Sequence, residues 1–238
     1  MGKAETLRVA LTIAGAAKAA AIAGADALVA AALAPRCAAC GRALDAPLDG
    51  PVCGWCWEEV AGASGRYDGA LRQIIHAFKY EGRRSLARPL GRLLRELGAG
   101  VLDEAAAVVP VPLYPWRRLQ RGFNQAAELA RHLDRPVSHA LWRVRRTRPQ
   151  AGLSASERRR NVRGAFRLSP LVSRRVRRAL IEDRVIVLVD DVMTTGATLQ
   201  ACAEVLREAG AREVRMLTLA RAPLHGGRSP VSSLRSSV

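Results

Sequence analysis

The sequence predicts an α/β protein, a parallel sheet flanked by helices and preceded by a small metal-binding module. Three observations carry that expectation. Val185 to Val189 is an unbroken aliphatic run of the kind buried on both faces of a parallel sheet, and it leads through two acids and a turn into a helical pattern. Ala105 to Leu133 repeats the order of short apolar strand, loop and amphipathic helix. Ahead of both stand four cysteines in two CxxC pairs.

Taken in chain order, residues 1–34 are Ala-rich, begin with Lys3 and Arg8, and read as a helical leader. Lys18 and Asp26 interrupt the apolar run, so no eighteen consecutive uncharged apolar residues occur and no membrane span is expected. Residues 35–62 form a four-cysteine zinc-finger module: Cys37, Cys40, Cys53 and Cys56 follow the pattern C-x2-C-x12-C-x2-C, with Gly41 and Gly54 where tight knuckle turns need them. Two such pairs brought together give a tetrahedral thiolate site for Zn2+. Two disulfides in a secreted chain are the alternative, against which the fifth cysteine, Cys202, falls unpaired on an apolar helix face. Helical patterns at 68–80 and 84–98 come next, with Ile74, Ile75 and Phe78 expected in the core and Lys79 and His76 on a solvated edge.

The main domain is expected over residues 66–222. Its first strand ends by Val109, because Pro110 and Pro112 deny it further ladder bonds, and the loop that follows carries Arg117, Arg118 and Arg121. The second quoted strand is expected to end at Asp190, with the loop between Asp191 and Thr198 at the carboxyl edge of the sheet, where open α/β folds bind ligands. Leu199, Cys202, Ala203, Val205 and Leu206 then recur at helical spacing. Gly196 permits a backbone shape that other residues resist, and Thr194, Thr195 and Thr198 set hydroxyls beside the free N–H groups of a helix start. Such a turn suits a phosphate. Asp190 and Asp191 are themselves anionic and cannot hold it, but carboxylates accept from the two hydroxyls of a ribose, so a ribose 5-phosphate fits the whole stretch. Residues 223–238 lack any apolar period and read as a disordered tail.

Residues 185–198, with two acids before T-T-G-x-T, resemble the phosphoribosyl pyrophosphate (PRPP) motif of type I phosphoribosyltransferases. The resemblance implies a type I phosphoribosyltransferase-like sheet in which Asp190 and Asp191 grip the ribose. Thr194, Thr195, Gly196 and Thr198 would cradle the 5-phosphate, and the Arg117, Arg118 and Arg121 loop would take the pyrophosphate with its Mg2+. PVP followed by RGFNQ, and RRTRPQAGLSASERRRNVRGAF at 145–166, make the chain similar to the ComF-type competence proteins, which include GntX-like members. That similarity spans roughly residues 30–222 and agrees with a zinc finger at the N-terminal end. It implies assistance to single-stranded DNA import in natural transformation, with a helicase or other competence protein as further partner, in the cytoplasm or at the inner face of the membrane.

Charge gives a second view of function. The chain carries +17 at pH 7, and between Arg143 and Arg184 fourteen arginines face only Glu157, Glu182 and Asp183. Only Lys3, Lys18 and Lys79 are lysines, so the choice of Arg reflects coding bias, but the concentration of positive charge attracts polyanions. Arg145, Arg146, Arg158, Arg159, Arg160 and Arg163 are the candidate nucleic-acid contacts, with Trp116, Phe123 and Trp142 beside arginines to stack bases. A solvated basic loop over a pyrophosphate site accounts for the same charges. Two functions of different class therefore stand at this point: a single-stranded DNA-handling protein on a PRPP-binding fold, and an active Mg2+-dependent phosphoribosyltransferase of nucleotide metabolism.

Overall fold

A computed structural model describes residues 2–62, 65–147 and 155–222. Helix α1 (Gly2–Leu33) leads through the cysteine segment into α2 (Gly54–Gly62). Helix α3 (Gly69–Tyr80), a 3-10 turn at Arg84–Leu86, α4 (Ala87–Leu97) and the single turn α5 (Ala99–Leu102) come before the first strand, β1 (Ala107–Pro110). Two short helices, α6 (Pro115–Arg121) and α7 (Gln125–Ala130), precede β2 (Leu141–Arg143), α8 (Ala155–Val162), β3 (Phe166–Leu168) and α9 (Arg174–Leu180). The chain then forms β4 (Val185–Met193), α10 (Ala197–Glu208) and β5 (Glu213–Arg221).

Among the described residues, β1, β4 and β5 make one sheet in the order β1-β4-β5, with both pairings parallel. β4 is central, Val109 pairing with Leu188 and Leu188 with Met216. Its aliphatic residues alternate between two cores, as period-two side chains must. Val187 and Val189 join Val108, Leu217 and Leu219 under the first helices, while Ile186 and Leu188 join Val109, Val214 and the α10 residues Leu199, Cys202 and Leu206. This two-sided burial explains the uninterrupted aliphatic run, and each fully closed Ile or Leu contributes about 1.5–3 kcal/mol.

Several elements differ from the sequence expectation. β4 does not stop at Asp190: it stays paired to β5 as far as Met193 opposite Arg221, so the loop shrinks to Thr194–Gly196 and both acids stand on the strand itself. The segment with Arg117, Arg118 and Arg121 is a helix rather than a loop, started by Pro115 in the first turn and ended by Gly122 in the left-handed region at φ +75°. The arginine-rich stretch 143–184 is not one loop, since β3 returns antiparallel to β2 and packs on α10, with Leu141 opposite Leu168.

The cysteine segment and the sheet share one core. Cys37, Leu44, Cys56 and Val60 are buried together with Leu71, Ile74, Ile75 and Phe78 of α3. Glu59 of α2 also supplies the cap that Asp68 does not: Ala70 N–H donates to Glu59 Oε1 at 2.8 Å. Gly69 is required there, because its φ is +47° and a Cβ would meet that same carboxylate oxygen at 2.1 Å.

In α1, the span Ala14–Leu33 is long and apolar enough to cross a membrane by length and composition, despite Lys18 and Asp26. Asp26 is nevertheless buried, and its Oδ1 accepts from Leu48 N–H at 2.7 Å, which ties the end of the helix to the cysteine segment. The tail expected at 223–238 lies outside the described residues.

Candidate functional site

A cavity of about 400 Å³ opens at the carboxyl ends of β1 and β4. β4 supplies one wall with Asp190, Asp191, Val192 and Met193, and the turn adds Thr194, Gly196 and Thr198. Gly196 has φ +73°, and nothing crowds its Cβ position closer than Met193 Sδ at 3.5 Å, so backbone shape rather than space selects glycine. Thr195 does not line the cavity; its Oγ1 accepts from Ala197 N–H at 3.5 Å, at the start of α10.

The facing wall is basic. Arg117 and Arg121 of α6 line the cavity, whereas Arg118 is exposed and lies outside it. Arg121 is held in place: Nη2 donates to Tyr80 Oη at 3.4 Å, Nη1 donates to Gln125 Oε1 at 3.2 Å, and its guanidinium lies 5.0 Å from the Tyr80 ring centre. Gln125 is itself buried, and its Nε2 has no partner, leaving a donor free at the cavity wall. Asn124 caps α7 by accepting from Ala126 N–H and ties that helix to β1 by donating to Val111 O.

The two acids are unlike each other. Asp191 is buried and pairs with Lys79, Nζ to Oδ1 at 2.8 Å, so Lys79 is not the solvated edge residue expected of it and Asp191 is not outside the core. Burial pulls the Lys79 amine down, but Asp191 outweighs burial and holds it above its ordinary value. Asp190 accepts from the Asp191 N–H at 2.9 Å. Burial first, then the neighbouring Asp191 charge, push its carboxyl up to about 7, against the pull of Lys79.

A second centre lies in the cysteine segment. The four Sγ atoms of Cys37, Cys40, Cys53 and Cys56 lie within 4.8 Å of one another. Cys37 to Cys56 is 3.9 Å and Cys40 to Cys53 is 3.7 Å, close to the ~3.8 Å edge of a tetrahedron with metal–sulfur bonds of ~2.3 Å. Ala39 N–H and Cys53 N–H both donate to Cys37 Sγ at 3.4 Å, the amide contacts that favour a thiolate. All five cysteines are free thiols, and the donor set fits a closed four-thiolate metal site.

The model for the phosphoribosyl transferase domain matches residues 119–232. Competence protein F of Haemophilus influenzae is 35% identical over 204 residues, covering 79% of this chain and 85% of that protein. The chain belongs to the ComF family. DNA utilization protein YhgH of Escherichia coli K12 is 34% identical over 195 residues, covering 76% of this ComF chain and 77% of its own length. Competence protein ComFC of Bacillus subtilis is 31% identical over 157 residues, covering 65% and 61% respectively.

The arginines expected to contact nucleic acid come from the segment after β2 and from α8 and the turn that follows it. Arg145 donates from Nη2 to the carbonyls of Asn161 and Arg163, bracing the end of α8 against the segment after β2. Arg160 and Arg163 are exposed, and Arg158 and Arg159 lie on α8 with side chains outside the described set. Of the three aromatic residues expected to stack bases, Trp116 and Trp142 are exposed, but Phe123 is buried against Phe78 with ring centres 5.3 Å apart. Lys79, Tyr67, Gln125 and Arg143 line the cavity without having been expected there: Lys79, Tyr67 and Arg143 reach it from segments that carry no motif, and Gln125 closes the RGFNQ stretch, which identified the family but gave that residue no role. Only the last-turn position of Lys79, next to buried Phe78 on an amphipathic helix, hinted at a role.

Proposed function

We propose that this ComF protein handles single-stranded DNA during its import and carries a phosphoribosyl ligand in the cavity at the sheet edge. The observation that carries the reading is the opposition, across one cavity, of the Asp190–Asp191 pair to Arg117 and Arg121. Acids for a pair of hydroxyls, a hydroxyl-rich turn beside them for one phosphate and arginines for a second phosphate group match a ribose phosphorylated at both ends, which is the chemistry of PRPP. Asp190 and Asp191 accept from the ribose hydroxyls. Thr194, Thr195, Gly196 and Thr198 hold the 5-phosphate at the start of α10, where unpaired N–H groups and the helix dipole favour an anion. Arg117 and Arg121 take the pyrophosphate end, with exposed Arg118 on the same helix adding to the positive field, and Mg2+ arrives with the pyrophosphate and offsets its charge.

The names of the relatives, two competence proteins and a DNA utilization protein, support the DNA reading over a dedicated salvage enzyme. The strand would run over Arg145, Arg146, Arg158, Arg159, Arg160 and Arg163, with Trp142 exposed for stacking. Zn2+ in the Cys37, Cys40, Cys53 and Cys56 cluster staples the 35–62 module to the 66–222 domain through their shared core, and leaves the module surface for a helicase or other competence protein. Such a role belongs on the cytoplasmic side of the membrane.

Filter binding with labelled PRPP and Mg2+, set beside a labelled oligonucleotide, tests the pairing. Wild type is expected to retain both ligands, and Asp190→Asn with Asp191→Asn to lose PRPP alone. Retention of neither ligand by wild type would overturn the reading.

A further inference from the structure

Arg143, the last residue of β2, is a buried cation that feels the charge of Asp190 across the large cavity but, among the described residues, forms no ion pair. It is only 5% exposed. One Nη2 donates to Thr147 Oγ1, the guanidinium lies 5.2 Å from the Phe166 ring centre, and its Nε is buried without any partner. Among the described residues, no carboxylate forms an ion pair with Arg143, Arg117 or Arg146. Arg143 lines the large cavity, and it also lines a smaller opening of about 170 Å³ beyond, together with Tyr114, Trp116, Arg117, Arg146 and Thr147.

Three arginines thus line a recess that no carboxylate lines among the described residues. Burial, then the nearest arginine, lower the affinity of both Arg117 and Arg143 for their protons. A charge taken from water without an ion-pair partner is costly, and an anion in the recess would relieve buried Arg143 and half-buried Arg117, with exposed Arg146 adding its charge from the solvent side. The recess also has an aromatic rim: Trp116 is 53% exposed beside it. Arginines that line one recess suit a phosphate, and an open indole face beside them suits the flat base attached to that phosphate.

We propose that this smaller opening is a nucleotide subsite, with the phosphate on Arg117, Arg143 and Arg146 and the base stacked on Trp116. The proposal rests on the reading of the large cavity as the phosphoribosyl site and deepens it. It places one nucleotide unit of a strand next to the arginines that face the pyrophosphate end, sharing Arg117 and Arg143 with them. The recess is large enough for the phosphate and part of the sugar, and the base lies outside on the exposed ring.

Equilibrium dialysis of labelled deoxyadenosine 5′-monophosphate, with deoxyadenosine and inorganic phosphate as the two halves, tests it. The nucleotide is expected to bind at least about tenfold more tightly than either half. Trp116→Leu, an exposed change that leaves the fold alone, should weaken it about tenfold and abolish its quenching of tryptophan fluorescence. Arg143→Gln should weaken both nucleotide and inorganic phosphate. Saturating ribose 5-phosphate should leave nucleotide binding in place, because it fills the far end of the large cavity.

Several results would overturn the proposal: no nucleotide binding, inorganic phosphate bound as tightly as the nucleotide, no response to Trp116→Leu, or competitive displacement by ribose 5-phosphate, which would place the nucleotide in the large cavity. If ribose 5-phosphate fails to bind while the nucleotide still depends on Trp116 and Arg143, the subsite stands and the reading of the large cavity falls.

Discussion

Lys79 and Asp191 join the first helical layer to the central strand, Nζ to Oδ1 at 2.8 Å, with side chains 14% and 9% exposed. The pair fixes one of the two acids of the cavity, and it does so from a helix whose first turn is capped by Glu59 of the cysteine module. Lys79→Met would leave Asp191 buried without its cation, a loss expected to cost about 3–5 kcal/mol. Urea denaturation should show that drop, and Lys79→Met combined with Asp191→Asn should recover much of it. The amine is held above its ordinary value, so its stabilisation is complete at neutral pH and is lost only as alkali titrates the folded form.

Asp190 sets a pH dependence of the same sign in a lower pH window. Its carboxyl is pushed up to about 7, so in the free protein the proton is retained through the acid range, and the stabilisation this gives is lost as pH rises through about 7. Acceptance of ribose hydroxyls needs the carboxylate, and affinity for PRPP should therefore rise as pH climbs from about 6 to about 8, with release of up to one proton on binding. Calorimetry in two buffers of unlike ionisation enthalpy would measure that release. Asp190→Asn should remove the protein's share of it, leaving only protons from the ligand's own phosphates.

The cysteine cluster should hold about one zinc per purified chain, a site worth on the order of 10 kcal/mol in small modules. Cys53→Ser should strip the metal and, through the core shared by Cys56, Val60 and Ile74, lower the thermal midpoint of the entire fold. Cys202 is buried on α10, in the other core, so Cys202→Ser should leave zinc content unchanged. Equal zinc in wild type and Cys53→Ser would remove the assignment.

Strands β1 and β4 are legible in the sequence because their signals are local, whereas β5 mixes charged and apolar residues and carries no such run. The run 185–189 announces two-sided burial, and the CxxC pairs announce their own geometry. The cavity is legible on the side where a motif carries it. Its other components come from positions whose meaning depends on tertiary placement. Lys79 reads as a lysine at the end of an amphipathic helix until β4 brings Asp191 within reach. Arg143 reads as one of fourteen arginines until the pairing of β2 with β3 buries it. Phe123 sits close to Arg121 in sequence yet turns inward to Phe78, because the bend between α6 and α7 directs it into the core. The end of β4 reads too early because the acids look like a loop, whereas the register with β5 runs on through them.

The salt dependence of oligonucleotide binding tests the central claim most directly. If phosphate contacts by the arginines of 143–178 hold the strand, the logarithm of affinity should fall linearly with log salt, by about 0.7 per phosphate neutralised, with little regard to sequence. Arg158→Ser, Arg159→Ser and Arg160→Ser together should flatten the slope by roughly two units, while Asp190→Asn with Asp191→Asn should leave it as it is. Filter binding across a salt series with wild type and both variants gives the three slopes. An unchanged slope and affinity in the triple arginine variant, or binding already erased in wild type near physiological salt, would contradict a role in handling single-stranded DNA.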